Sequence, residues 1–154
     1  MNYNDSYRTC ELTHAKLRVY SDEMSPEEMA TALRVTPTSV QHKGDVRNPR
    51  GRRPVTLKLN GVFLESEGHV ESLDARRHID WVLDRMEGRA PELASLMAAG
   101  ARADLTCLWI SASGHGGPTL SPHQCKRMAE LGIDCWFDVC LGGDDEEERP
   151  SQVK

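Results

Sequence analysis

A chain of 154 residues with 38% apolar and 28% charged positions is long enough for one domain with a real core, and leaves part of its length for loops or tail. A formal net charge of −5 argues against a general nucleic-acid or anionic-membrane binder, and no apolar run approaches the ~18 residues of a membrane span. The odd set of five cysteines (Cys10, Cys107, Cys125, Cys135, Cys140) argues for reduced thiols, and Met1–Arg8 lacks the basic and apolar regions of a signal peptide, so a cytoplasmic setting is expected.

In chain order, residues 1–11 read as a flexible leader. Thr13–Tyr20 alternates, with Ala15, Leu17 and Val19 on one side and His14, Lys16, Arg18 and Tyr20 on the other, as a half-buried strand does. Ser25–Arg34 reads as a capped helix with Met29, Ala32 and Leu33 forming its apolar stripe. Thr36–Pro54 is a polar connection with room for a short strand near Ser39–His42. Val55–Leu59 alternates again and continues through Val62–Leu64, with Gly61 predicting a bulge or bend. Ser72 opens the longest helical pattern, in which Ala75, Ile79, Val82, Leu83 and Met86 recur at helical spacing. Gly88 ends it, and Pro91 starts a shorter helix that closes before Gly100. Leu105–Ile110 is apolar at nearly every position, which predicts a central strand covered on both faces. After a glycine-rich loop come a capped helix over Ser121–Leu131 and an alternating strand over Ile133–Leu141. The last segment, 142–154, carries Asp144, Asp145, Glu146, Glu147 and Glu148 in a row, and is expected to remain a solvated, disordered acidic tail.

Two helix starts share one local design. Ser25 and Ser121 are N-cap candidates, Pro26 and Pro122 stand at N1, and Glu28 and Gln124 complete capping boxes at N3. Met24/Met29 and Leu120/Cys125 occupy staple positions. This repetition points to two strand–helix–strand halves joined through an inserted helical segment. The expected fold is α+β: a two-layer sandwich with a mainly antiparallel sheet, helices on one face and a ferredoxin-like pseudo-repeat, forming a single domain over 12–141. A doubly wound parallel sheet would want apolar runs in every strand, and only Leu105–Ile110 has one.

The segment Ser113-Gly-His-Gly-Gly-Pro-Thr-Leu-Ser121, with its flanking strand, helix and Trp/Phe strand, resembles the bacterial family called Domain of Unknown Function 4279. Met24-Ser-Pro-Glu-Glu28, Lys43-Gly44-Asp45, Ser72-Leu73, His78 and Trp81-Val-Leu83 agree with it, and the resemblance spans roughly residues 12–141. Val62 departs from the pattern, which carries a tryptophan there. The family implies no activity and no catalytic residues.

Several residue groups are candidates for chemistry or recognition. In Ser113–Thr119 the glycines Gly114, Gly116 and Gly117 can expose backbone amides beside a helix N-terminus, with Ser113 and His115 as donors and Lys43 or His78 converging on a ligand. No phosphate-loop pattern is present, and a turn-rich connector explains the same residues. Histidine and cysteine spacings do not match a structural zinc site, so no metal and no cofactor is expected. His78, in an amphipathic helix, also reads as a histidine bonded to neighbouring groups. No nucleophile elbow is present, and Asp134 and Asp138 on one strand face lie too far apart for a carboxylate pair. The basic loop holds Lys43, Arg47, Arg50, Arg52 and Arg53 against Asp45 alone, but without aromatic residues for stacking it argues against nucleic-acid binding.

The leading expectation is therefore a non-enzymatic protein-interaction module. Asp134, Trp136 and Asp138 would meet the partner, with the loop arginines as further contacts. An immunity-type protein covering a basic toxin is its most specific form. The alternative is a small-ligand-binding or enzymatic protein using the loop around His115. Sequence leaves the oligomeric state open.

Overall fold

The computed structural model describes residues 2–48 and 53–141, so Arg50, Arg52 and the acidic segment 142–154 lie outside the described residues. Strand β1 (Cys10–Ser21) is longer than its alternation predicted, and that alternation organises the molecule. Thr13, Ala15, Leu17, Val19 and Ser21 are buried on one face, while His14, Lys16, Arg18 and Tyr20 stand on the other. Helix α1 (Pro26–Leu33) begins as its sequence indicates. The Ser25 hydroxyl accepts from the Glu28 amide, and the Glu28 carboxylate accepts from the Ser25 amide.

The connection after α1 holds β2 (Ser39–Gln41), then β3 (Val46–Arg47) and β4 (Val55–Thr56), which pair with each other as a small separate sheet. Strand β5 (Asn60–Glu65) follows. The single strand expected from Val55 to Leu64 is thus divided between two sheets. Gly61 makes no bulge either: it pairs in register with Tyr20 on one side and Gln41 on the other. Its missing side chain makes room for an aromatic ring instead. A Cβ there would lie 2.7 Å from Phe63 Cζ and 2.9 Å from Gln41 Cγ.

Helix α2 (Ala75–Arg85) starts at N-cap Asp74, three residues later than its sequence pattern, and α3 (Ala90–Ala98) follows directly. Strand β6 (Arg102–Ser111) leads to α4 (Pro122–Leu131), and β7 (Asp134–Leu141) closes the described chain. At α4 the second capping box forms, with the Ser121 hydroxyl on the Gln124 amide and the Gln124 side chain on the Ser121 amide.

The main sheet has the order β2-β5-β1-β6-β7. Every pairing is antiparallel except β6 with β7. It follows that β1 and β2 are parallel around β5, joined by α1, and that β5 and β6 are parallel around β1, joined by α2 and α3. These two interlocked units make the mainly antiparallel, ferredoxin-like α+β pattern, with the added unit α4–β7 extending one edge. The pseudo-repeat expected from the matched caps is corrected here. The second serine–proline helix belongs to the added unit, in which the strands are neighbours, whereas α1 joins strands that are not. Identical caps start helices but carry no information about which strands pair.

All four helices of the described residues contribute to one apolar cluster with the sheet. Leu17, Val19, Leu64, Leu105 and Trp109 meet Met29, Leu33, Ile79, Leu83, Leu93 and Met128. Val62 is buried there opposite Val19. β6 is not covered on both faces, as its sequence had indicated. Leu105, Cys107 and Trp109 are buried, but Thr106, Leu108 and Ile110 are half-buried on the face without helices. Polar links hold the helix layer: Gln124 Nε2 donates to Arg76 O at 2.7 Å, and Arg127 bridges Asp84 at 2.8 Å and Asp80 at 3.5 Å.

The segment expected to be a flexible leader is tied to α2. The Tyr3 hydroxyl donates to Asp80 at 2.7 Å, the Asn4 amide donates to Asp74, and Arg77 grips Asp5 through two nitrogens. Burial and the Asp80 hydrogen bond push the Tyr3 phenol up to about 12. Among the described residues no helix is long and apolar enough to cross a membrane.

Gly61→Ala should destabilise the chain by about 1–3 kcal/mol, the usual cost of overpacking a filled site. Denaturant unfolding measures this, and Gly132→Ala, where a Cβ meets nothing within 4 Å, separates steric cost from the strain of its left-handed φ of 68°.

Candidate functional site on the open face of the sheet

The sheet face without helices is built as rows of cross-strand neighbours fixed by register. Lys16 lies opposite Glu65 on one side and Thr106 on the other, with Trp136 beyond. Arg18 lies between Phe63 and Asp104, with Asp134 beyond. His14 lies opposite Leu108, with Asp138 beyond. Polar residues at alternate positions of four strands therefore converge on one surface, a consequence of the two-residue period of each strand.

Most of the charge on this surface is internally matched. Lys16 Nζ reaches Glu65 at 3.1 Å, and Arg18 binds Asp104 through two nitrogens at 2.7 and 2.9 Å. The paired Asp104 carboxylate holds the Arg18 guanidinium above even its ordinary high value. The same guanidinium lies 4.8 Å from the Trp136 ring and 5.8 Å from the Tyr20 ring. Phe63 is buried on this face by Tyr20, edge-on at 5.5 Å, and by Lys16, 4.9 Å from its centroid. Phe63 is thus no platform for a stacked base, and the two cations beside it are occupied.

At β7 the balance changes. Trp136 is 44% exposed, and Asp134 and Asp138 flank it on the same side of the strand. Among the described residues neither aspartate takes part in an ion pair. Leu141, 63% exposed, and Val139 add apolar surface on the other side of this edge strand.

The glycine-rich loop after β6 is organised by its own bonds. Gly114 and Gly116 hold left-handed φ angles of 73° and 96°. A Cβ on Gly116 would meet Thr9 Oγ1 at 2.6 Å and Trp109 at 3.1 Å, so this glycine lets the loop close over the end of the core. Ser111 Oγ donates to His115 O at 2.8 Å, and His115 Nδ1 lies 3.1 Å from Ser113 Oγ. Ser113 and His115 are exposed, and Gly117 is partly covered. At the start of α4, Pro122 has no N–H and the Gln124 amide is taken by Ser121, which leaves little for an anion cradle.

Lys43 and His78 are not joined to this loop by any hydrogen bond or ion pair. Lys43 Nζ pairs with Asp22, which follows β1, at 2.6 Å. His78 is buried with both ring nitrogens engaged, Nδ1 to Ser66 Oγ and Nε2 to Ser72 O, each at 2.8 Å. The Ser66 hydroxyl oxygen accepts from the Ala15 amide at 2.8 Å. Since a carbonyl only accepts, Nε2 carries the proton and Nδ1 accepts from Ser66: a neutral imidazole joining β1 to α2. Arg47 sits on β3 with Nη2 donating to Gln41 Oε1, and Arg53 is exposed in the same connection. Cys107 and Cys135 are pushed up by burial to about 12 and about 11, so at neutral pH they are thiols, not nucleophiles.

A further group was not singled out by sequence reasoning. His14, Glu65 and Glu67 bring one ligand atom each within 4.8 Å of one another. His14 lies more than 50 positions from the glutamates, and only strand pairing unites them, so no spacing rule could have found them.

Burial is the first cause holding the His78 pKa below its ordinary value. The unfolded chain, with histidine near 6.5, therefore binds a proton that the folded chain refuses. Stability is fully present above pH ~6.5 and falls on acidification toward the lower folded pKa, with a slope up to about 1.4 kcal/mol per pH unit. Urea unfolding at stepped pH should show this loss, and ring NMR should find His78 still neutral when an exposed histidine has charged.

A family model described as a domain of unknown function (DUF4279) matches residues 11–142. No curated protein and no solved structure matches the chain. The matched span runs from the second residue of β1 to just past β7, and so covers all four described helices and every described strand but the first residue of β1. A match over most of the chain establishes that this protein belongs to the DUF4279 family.

Proposed function

We propose that this chain is a non-enzymatic protein-interaction module that binds a basic partner through β7 and the sheet face beside it. The observation that carries this reading is Trp136, half-exposed on an edge strand between two aspartates that have no ion-pair partner among the described residues, its ring steadied by Arg18. A tryptophan held in place loses little freedom when covered, and tryptophan is prominent among residues that dominate binding energy. Carboxylates at its rim steer a cationic partner and discriminate against acidic ones. An edge strand also offers an unpaired ladder to an incoming chain. The specific form of this reading is an immunity-type role, in which the module covers the active surface of a basic toxin. Ligand binding at the glycine loop has weaker support, because Ser113 and His115 bond within the loop and Lys43 and His78 are engaged elsewhere.

Cys140 shares the side of β7 that carries Trp136 and is exposed, which makes it the position for a photo-crosslinking residue. In cells it should give one discrete adduct with a protein of basic charge. Trp136→Ala, or Asp134→Lys with Asp138→Lys, should weaken that adduct about tenfold or more, while His115→Ala leaves it unchanged. A pattern equal to that from a crosslinker at exposed Glu130 on α4 would refute the reading.

A further inference from the structure

The end of the open face nearest the β5 turn holds an arrangement that the interaction reading does not use. The register that sets Lys16 opposite Glu65 continues beyond the strand, with the Ser66 amide donating to Ala15 O at 2.9 Å. It therefore sets residue 14 opposite residue 67 and diagonal to residue 65. His14, Glu65 and Glu67 consequently converge, with ligand atoms within 4.8 Å of one another. His14 and Glu65 border a cavity of about 180 Å³ that Lys16, Thr106, Leu108 and Asp138 also line.

One atom of this group lacks a partner. His14 Nδ1 is shielded from solvent and has no hydrogen-bond partner among the described residues, an arrangement folded proteins seldom leave uncompensated. The Glu65 and Glu67 carboxylates lie within 4.8 Å of a ring nitrogen of the same imidazole, and imidazole and carboxylate are common joint ligands of divalent transition ions. We infer that His14, Glu65 and Glu67 bind a divalent transition ion of the zinc or manganese class, His14 supplying the imidazole ligand and the glutamates the oxygens. One nitrogen and two carboxylates, with no thiolate, select against soft ions such as Cu(I). Tetrahedral zinc at about 2 Å from each donor holds its ligands ~3.4 Å apart, so the side chains must close by roughly an ångström, and Glu67, exposed on a turn, has the freedom to do so. Lys16 is the built-in competitor: its ammonium occupies Glu65 Oε1 at 3.1 Å and must yield that oxygen, or leave the ion the other one. The cavity leaves room for water to complete the coordination shell.

This inference does not rest on Trp136 or on any partner. Protein stripped with a chelator is titrated calorimetrically with Zn²⁺ and, separately, Mn²⁺. For at least one ion, one equivalent should bind. Glu67→Gln, an exposed position that leaves the core untouched, should weaken binding at least tenfold, and His14→Ala should remove it. Lys16→Met should tighten binding severalfold, because Glu65 loses its competing cation; a site elsewhere on the surface has no reason to respond in that direction. Circular dichroism confirms that each variant is folded. No heat of binding with either ion, or binding unchanged in Glu67→Gln and His14→Ala, would overturn the assignment.

Discussion

The structure depends on the pairing of β1 with β5 on one side and β6 on the other. These are the antiparallel ladders that place a single alternating strand at the centre of the sheet. One parity of β1 (Ala15, Leu17, Val19) supplies the floor of the core. The other parity (His14, Lys16, Arg18, Tyr20) supplies the middle of the open face. A slip of one residue in either ladder would exchange the two sets, placing charges under the helices and aliphatics in solvent. The core and the candidate site are therefore specified together.

Burial on one side forces economy on the other. A sheet covered by helices on one face leaves the opposite face wet, and this chain fills it with pairs rather than with unmatched charge. Glu65 meets Lys16, and Asp104 meets Arg18 in a forked geometry. Such half-exposed pairs add little stability by themselves, because water screens them; their effect is to set side-chain positions. Arg18 is an example, since the guanidinium fixed by Asp104 also steadies the Trp136 ring. The matched centre leaves the acid at β7 and the His14 group as the places where the surface is incomplete.

The helix layer shows how one local motif acquires different duties. Glu28 and Gln124 fill the same capping position, yet Glu28 is exposed and Gln124 is buried. A carboxylate could not be buried there without a cation, whereas a neutral amide can cap its own helix with its oxygen and donate from its nitrogen to Arg76 O of α2. His78 serves in a similar way between α2 and β1. It is a buried polar residue whose two nitrogens are both satisfied, so the functional role its place in a helix left open becomes a structural one.

What the sequence determined by itself was local. Alternation identified the strands around β1 and β7, and the serine–proline boxes marked the starts of α1 and α4, because period and capping depend on residues within a few positions of each other. The exposed triplet Asp134, Trp136 and Asp138 was legible for the same reason. Only the tertiary structure decided that β2 and β1 flank β5, that Gly61 yields space to Phe63, and that the two matched caps belong to different kinds of unit. It alone brought His14 to Glu65 and Glu67, and engaged Lys43 with Asp22 and His78 with Ser66 and Ser72 instead of with the glycine loop. Those outcomes depend on which strands pair and in what register. That choice is made by the burial of a shared core across distant segments, which no short window of sequence contains.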